Sequence, residues 1–119
     1  MHSIHTSSII EKLKSAFKLW LAIVPHMPRI HRGTIGARIG NMFLEIIETS
    51  YHAYYSSGNA KLEKITSAMI RLDSMKFLLS IAWENKLVQN KQYEELSIQL
   101  AEIGKMLGGW KKGMELKSK

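Results

Sequence analysis

The sequence contains no cysteine. That excludes disulfides and thiolate metal sites, and it fits a reducing compartment such as the cytoplasm. Only two prolines occur, Pro25 and Pro28, both in the first quarter of the chain. Elsewhere no residue lacks a backbone N–H, so long helices are open to most of the length. A membrane-crossing helix needs about 20 apolar residues in a row. The longest apolar run, Leu19 to Pro25, stops far short, and no membrane partner is expected. The N-terminus, Met-His-Ser-Ile-His-Thr-Ser-Ser, has no basic segment followed by an apolar core, so no secretory signal is expected.

What is present is patterned. Hydrophobic residues make up 45 % of the chain, which rules out a mainly disordered protein. The 119 residues suffice for one domain and are too few for two. The expectation is a single domain over 1–119, with its core at about residues 7–112 and a frayed tail at 113–119.

Four apolar stripes recur at helical steps of three and four. The first is Ile10, Leu13, Phe17, Trp20 and Val24. Ser7-Ser8 precedes it, and Glu11 follows Ser8 at capping-box spacing. Pro25 and Pro28 should end that helix near Val24 to Met27. A short basic loop follows, and Thr34 looks like the N-cap of a second helix carrying Ile35, Ile39, Met42, Ile46 and Thr49. Ser56-Ser57-Gly58 ends it. Asn59 should cap a third helix with Ile65, Ala68, Leu72, Met75, Leu79 and Ala82 on one side. After a weak break at Glu84 to Asn90, Asn90 should cap a fourth, with Tyr93, Leu96, Leu100, Ile103, Leu107 and Trp110. Gly108-Gly109 reads as its end, and Gly104 with Gly108 as a small-residue strip that lets a neighbouring helix approach. Four such stripes joined by short turns predict an all-α, antiparallel up-down four-helix bundle.

Little in this pattern can do chemistry. A di-iron bundle needs Glu-x-x-His pairs, and none occurs. Glu48 and His52 share a face as a lone surface pair, and His26 and His31 have no third ligand nearby. No Ser sits in a nucleophile elbow and no Gly-rich loop cradles phosphate. No catalytic residue, metal or cofactor is predicted, so the chain reads as a non-enzyme. The tyrosines are a separate matter. Tyr51, Tyr54 and Tyr55 cannot all face one core, so at least one should reach the surface or a subunit interface.

The remaining candidates are basic. The formal net charge of +7 is uneven: residues 1–40 hold six Lys/Arg against one Glu, while 41–60 hold two Glu and no Lys/Arg. Such a balance favours an anionic partner. Arg29, Arg32 and Arg38 cluster around the first loop, and antiparallel topology puts Lys61 and Lys64 with Lys111 and Lys112 at the opposite end. Phosphate contacts need positive charge along a surface, and two basic ends supply it. Lys76 and Lys105 sit inside otherwise apolar stretches, where the charged head must snorkel out or meet an anion. For any single lysine the plainer reading is a solvated charge.

Three stretches together resemble a known family: Pro28-Arg-Ile-His-Arg32, Met75-Lys-Phe-Leu-Leu79, and Ala101-Glu-Ile-Gly-Lys-Met-Leu-Gly-Gly-Trp110. They look like those of the four-helix-bundle accessory variability determinant proteins of diversity-generating retroelements, over about residues 17–112. The resemblance implies a basic, non-catalytic protein that assembles as a cyclic pentamer and binds the retroelement's reverse transcriptase and nucleic acid, either template RNA or cDNA. It implies support for mutagenic retrohoming. A sister branch of the same bundle family is encoded in intervening sequences of bacterial large-subunit ribosomal RNA genes. Family members tend to carry Arg where this chain has Lys76 and Lys105, which keeps charge but not bidentate geometry. The alternatives are the sister branch, a protein–protein scaffold without nucleic acid, and a metal-dependent bundle enzyme.

Overall fold

The computed structural model describes residues 4–117, with side chains from Ser8 onward. Its elements are α1 (Ile4–Ile23), a 3-10 turn at Val24–His26, the single-turn helix α2 (Arg29–His31), a π turn at Arg32–Gly36, α3 (Ala37–Tyr54), α4 (Gly58–Glu84) and α5 (Asn90–Lys117). No strand occurs among the described residues. The long helices pack α1 on α3, α3 on α4, α4 on α5 and α5 back on α1. That closed cycle with short turns is the antiparallel four-helix bundle, a rod of 49 × 23 × 23 Å.

The core follows the stripes. Ile39, Met42 and Ile46 on α3 are buried, as are all six expected positions of α4 from Ile65 to Ala82 and Leu96, Leu100, Ile103 and Leu107 on α5. In α1 the buried face is Ile9, Leu13, Ala16, Trp20 and Ile23, with Ile10 and Phe17 half-buried beside it and Val24 half-buried just past its end. The sequence offers two adjacent apolar stripes there, and the small Ala16 lets α1 seat on the first rather than the second. Ser8 lies inside α1, so the Ser8–Glu11 spacing does not start the helix; the side chain of Ser7 lies outside the described residues.

Three helix starts differ from expectation. Thr34 is no N-cap. The chain stays helical from Arg29 through Tyr54, absorbing Gly33 and Thr34 in the π turn, and the Thr34 hydroxyl donates backwards to the carbonyls of Ile30 and His31 at 3.4 and 3.3 Å. At the next turn the N-cap is Ser57, and Asn59 is already in α4. Gly58 has φ +57°, the left-handed geometry that needs glycine here. Asn90 is the first residue of α5, and its side chain serves Trp83 instead of capping.

The α4–α5 turn is a Schellman motif. Leu87 N–H donates to Ala82 C=O and Lys86 N–H to Trp83 C=O, each at 2.9 Å. The left-handed position is held by Lys86 at φ 61°, where glycine is usual, so the sequence showed only a weak break. At the far end, α5 does not stop at Gly108-Gly109. It runs to Lys117, so residues 113–117 are helical rather than frayed. Leu107 is buried and Trp110 packs against the core on either side of the glycine pair, and this packing overrides their poor helix propensity.

Candidate nucleic-acid interface

At one end of the rod, the first proline breaks α1 and exposes helix-terminal carbonyls. Arg32 answers them: its Nε donates to Met27 C=O at 2.9 Å and its Nη2 to Pro25 C=O at 2.8 Å. A sequence-predicted phosphate contact is therefore engaged in holding its own loop, although Arg32 stays exposed. Arg29 and Arg38 are exposed near it. Below the loop, the Trp20 indole N–H donates to Gly36 C=O at 3.2 Å and ties α1 to the start of the second long segment. Topology brings the α4–α5 turn with exposed Lys86 to this same end.

The opposite end holds the α3–α4 turn and the end of α5, which places Lys61 and Lys64 with Lys111 and Lys112. Lys112 is exposed and the other three are half-buried, their stems lying along the helices. Tyr51 and Tyr55 also emerge there, 50 % and 63 % exposed, with ring centroids 5.1 Å apart in an edge-to-face pair. Partial desolvation, then the neighbouring Tyr51 and Tyr54, pushes the Tyr55 hydroxyl above its ordinary pKa.

Between the ends, Lys76 and Lys105 meet across an open groove. It has a volume of about 310 Å³ and is lined by Met69, Leu72, Asp73 and Lys76 of α4 and by Gly104 and Lys105 of α5. A Cβ on Gly104 would lie 3.5 Å from both Leu72 Cδ2 and Lys76 Nζ, so the glycine leaves the floor open beneath the ammonium. That is ordinary van der Waals distance. A Cβ on Gly108 would come within 3.9 Å only of Met69 Cε. The close helix approach expected of these two glycines is therefore not required inside one chain. Lys76 and Lys105 form no ion pair among the described residues.

Other cations are engaged. Lys12 pairs with Glu102 at 2.9 Å across α1 and α5, and Arg71 pairs with Glu45 across α3 and α4. Arg71 also donates to Ser67 Oγ at 3.3 Å. No group of three or more His, Asp or Glu able to hold a metal occurs among the described residues.

Sequence reasoning missed one feature between the same two helices, about two turns along α4 from Lys76. Trp83 and Tyr93 stack with ring centroids 4.6 Å apart and planes 9° from parallel. The Trp83 N–H donates to Asn90 Oδ1 at 2.7 Å, and Trp83 stays 38 % exposed. An aromatic in the last turn of one helix facing another in the first turn of the next was the available signal.

No helix of the described residues is long and apolar enough to cross a membrane. No curated protein matches the chain. Among solved structures, a protein of unknown function from the S23 ribosomal protein family of Bacteroides thetaiotaomicron VPI-5482 is similar, with TM-score 0.82 and 14 % identity over 92 % of this chain and 99 % of that one. At that identity the likeness is one of fold. A family profile described as bAvd-like matches residues 8–114, nearly the whole bundle. The chain therefore belongs to the bAvd-like family of four-helix-bundle accessory proteins.

Proposed function

We propose that this chain is the non-catalytic accessory subunit of a diversity-generating retroelement, and that it works in the cytoplasm as a basic oligomeric scaffold for reverse transcriptase and for template RNA or cDNA. The observation that carries this reading is the bAvd-like match over residues 8–114 in a chain of net charge +7. Repetition of a basic subunit around a ring concentrates positive potential, which raises capture of a polyanion and its on-rate.

Two apolar stripes support the oligomeric part. Ile70 and Phe77 stand 62 % and 66 % exposed on α4, and Leu44 and Tyr51 are exposed seven residues apart on α3. A ring needs two different, complementary patches on each subunit, and neighbouring helices carry two. Five copies is the number that the family resemblance implies.

The test has two arms. Tagged protein co-expressed with the neighbouring reverse transcriptase should retain it through purification. Binding to RNA should weaken steeply between 50 and 200 mM salt, by about tenfold for every two phosphates neutralised. Failure to retain the polymerase, or nucleic-acid binding indifferent to salt, overturns the proposal. A reverse-transcriptase gene and a near-repeat pair beside this gene would favour it over the ribosomal-RNA branch.

A further inference from the structure

We propose that the groove between α4 and α5 takes single-stranded nucleic acid, with an unpaired base stacked on Trp83 and the adjoining phosphates running past Lys76 and Lys105. The inference rests on the reading of this protein as a nucleic-acid binder, and it names the strand state and the path.

The indole is built for stacking. Tyr93 backs one of its faces in parallel at 4.6 Å, and the Asn90 amide oxygen fixes its N–H. The ring is thus ordered before any ligand arrives, which lowers the entropy lost on binding. Trp83 is 38 % exposed, so part of the indole remains open to a ligand. A base inside a duplex already has both faces stacked, so an unpaired base gains most from the indole.

The charge continues from the ring. Lys76 lies seven residues before Trp83 on the same helix, about 10 Å along its axis. Lys105 faces it from α5 across the groove of about 310 Å³. Neither lysine is committed to a carboxylate ion pair among the described residues, whereas Lys12 and Arg71 are. Asp73 is the only acidic residue lining the groove, so its two cations leave it net positive. An aromatic platform followed by a cationic channel is the arrangement that binds single strands with little sequence preference.

The experiment uses the full chain, a labelled oligouridine, and a duplex RNA of similar length. Trp83→Ala should weaken binding of the single strand by about 5- to 150-fold, as for loss of one stacked base. It should leave duplex affinity unchanged, and Trp83→Phe should recover most of the loss. Lys76→Gln with Lys105→Gln should lower the log–log salt slope on the single strand by about 1.4, the expectation for two phosphates. Where Trp83→Ala lowers the melting temperature, Trp fluorescence decides instead. In Trp110→Phe, whose one other Trp is the buried Trp20, oligouridine should quench the emission.

Unchanged single-strand affinity in Trp83→Ala, or absence of quenching, overturns the groove assignment and leaves the proposed function standing. Equal losses on single strand and duplex overturn it as well, since Trp83 would then act through the fold. Wild-type protein that binds neither RNA at low salt removes both this inference and the nucleic-acid half of the proposed function.

Discussion

The Trp20 indole N–H donates to the Gly36 carbonyl at 3.2 Å, inside the core and sixteen residues along the chain. Trp20 is fully buried, and Gly36 is buried in the π turn where the backbone ladder is irregular. Replacing the indole by a benzene ring leaves that carbonyl without this donor. Trp20→Phe should destabilise the bundle by about 0.5–1.5 kcal/mol through loss of that hydrogen bond, with lost packing volume added to it. Chemical denaturation measures it; a change below about 0.5 kcal/mol would mean that the bond contributes little.

Lys86 holds a left-handed conformation at φ 61° in the Schellman turn. Glycine adopts that geometry without the Cβ clash, although it also gains freedom when unfolded. Lys86→Gly should stabilise the protein by about 0.5–1 kcal/mol. A fall in melting temperature would show that the lysine makes a compensating contact.

Gly109 lies inside α5, and a Cβ added there meets nothing within 4 Å. Gly109→Ala should therefore raise stability by roughly 0.5–1 kcal/mol. If the monomer fold gains stability while assembly or partner binding is lost, the glycine is serving an approach from outside the chain.

Ser50 is fully buried on α3, and its hydroxyl finds no hydrogen-bond partner among the described residues. Ser50→Ala removes an unsatisfied polar atom at almost no change in volume. Thermal unfolding should show a gain of up to about 1 kcal/mol. A clear loss would reveal a hidden partner for that oxygen.

Trp110 packs against the core below the glycine pair. Truncation to alanine should cost roughly 2 kcal/mol, less than for a fully buried Trp because the ring is only half-buried. Thermal stability and oligomer size that both stay unchanged in Trp110→Ala would place the Trp outside the packing described.

Much of the architecture was legible because burial follows period. From Ile65 to Ala82, six positions chosen by spacing alone are the six buried residues of α4. The illegible parts are those where a local signal was outweighed. Gly108 and Gly109 signal a helix end, but Leu107 and Trp110 anchor the helix on both sides of them. Lys86 carries no sign of a left-handed turn, because the turn is set by backbone bonds to Ala82 and Trp83. The basic candidates were readable as charge but not as availability. Only the folded arrangement separates Arg32, tied to Pro25 and Met27, from Lys76, which lies over Gly104. Tyr93 falls on the fourth stripe and Trp83 flanks the third, and neither position says that two rings at a turn will stack.

The π turn at Arg32–Gly36 has a consequence for chain length. A single π turn holds one residue more than the α-helical ladder around it requires. Deleting one residue between Arg32 and Gly36 can therefore be absorbed as a regular α-turn, whereas the same deletion in the middle of α4 would rotate every later core residue by about 100°. Relatives of this protein are expected to differ by single-residue gaps at this point, with the bundle beyond it in register.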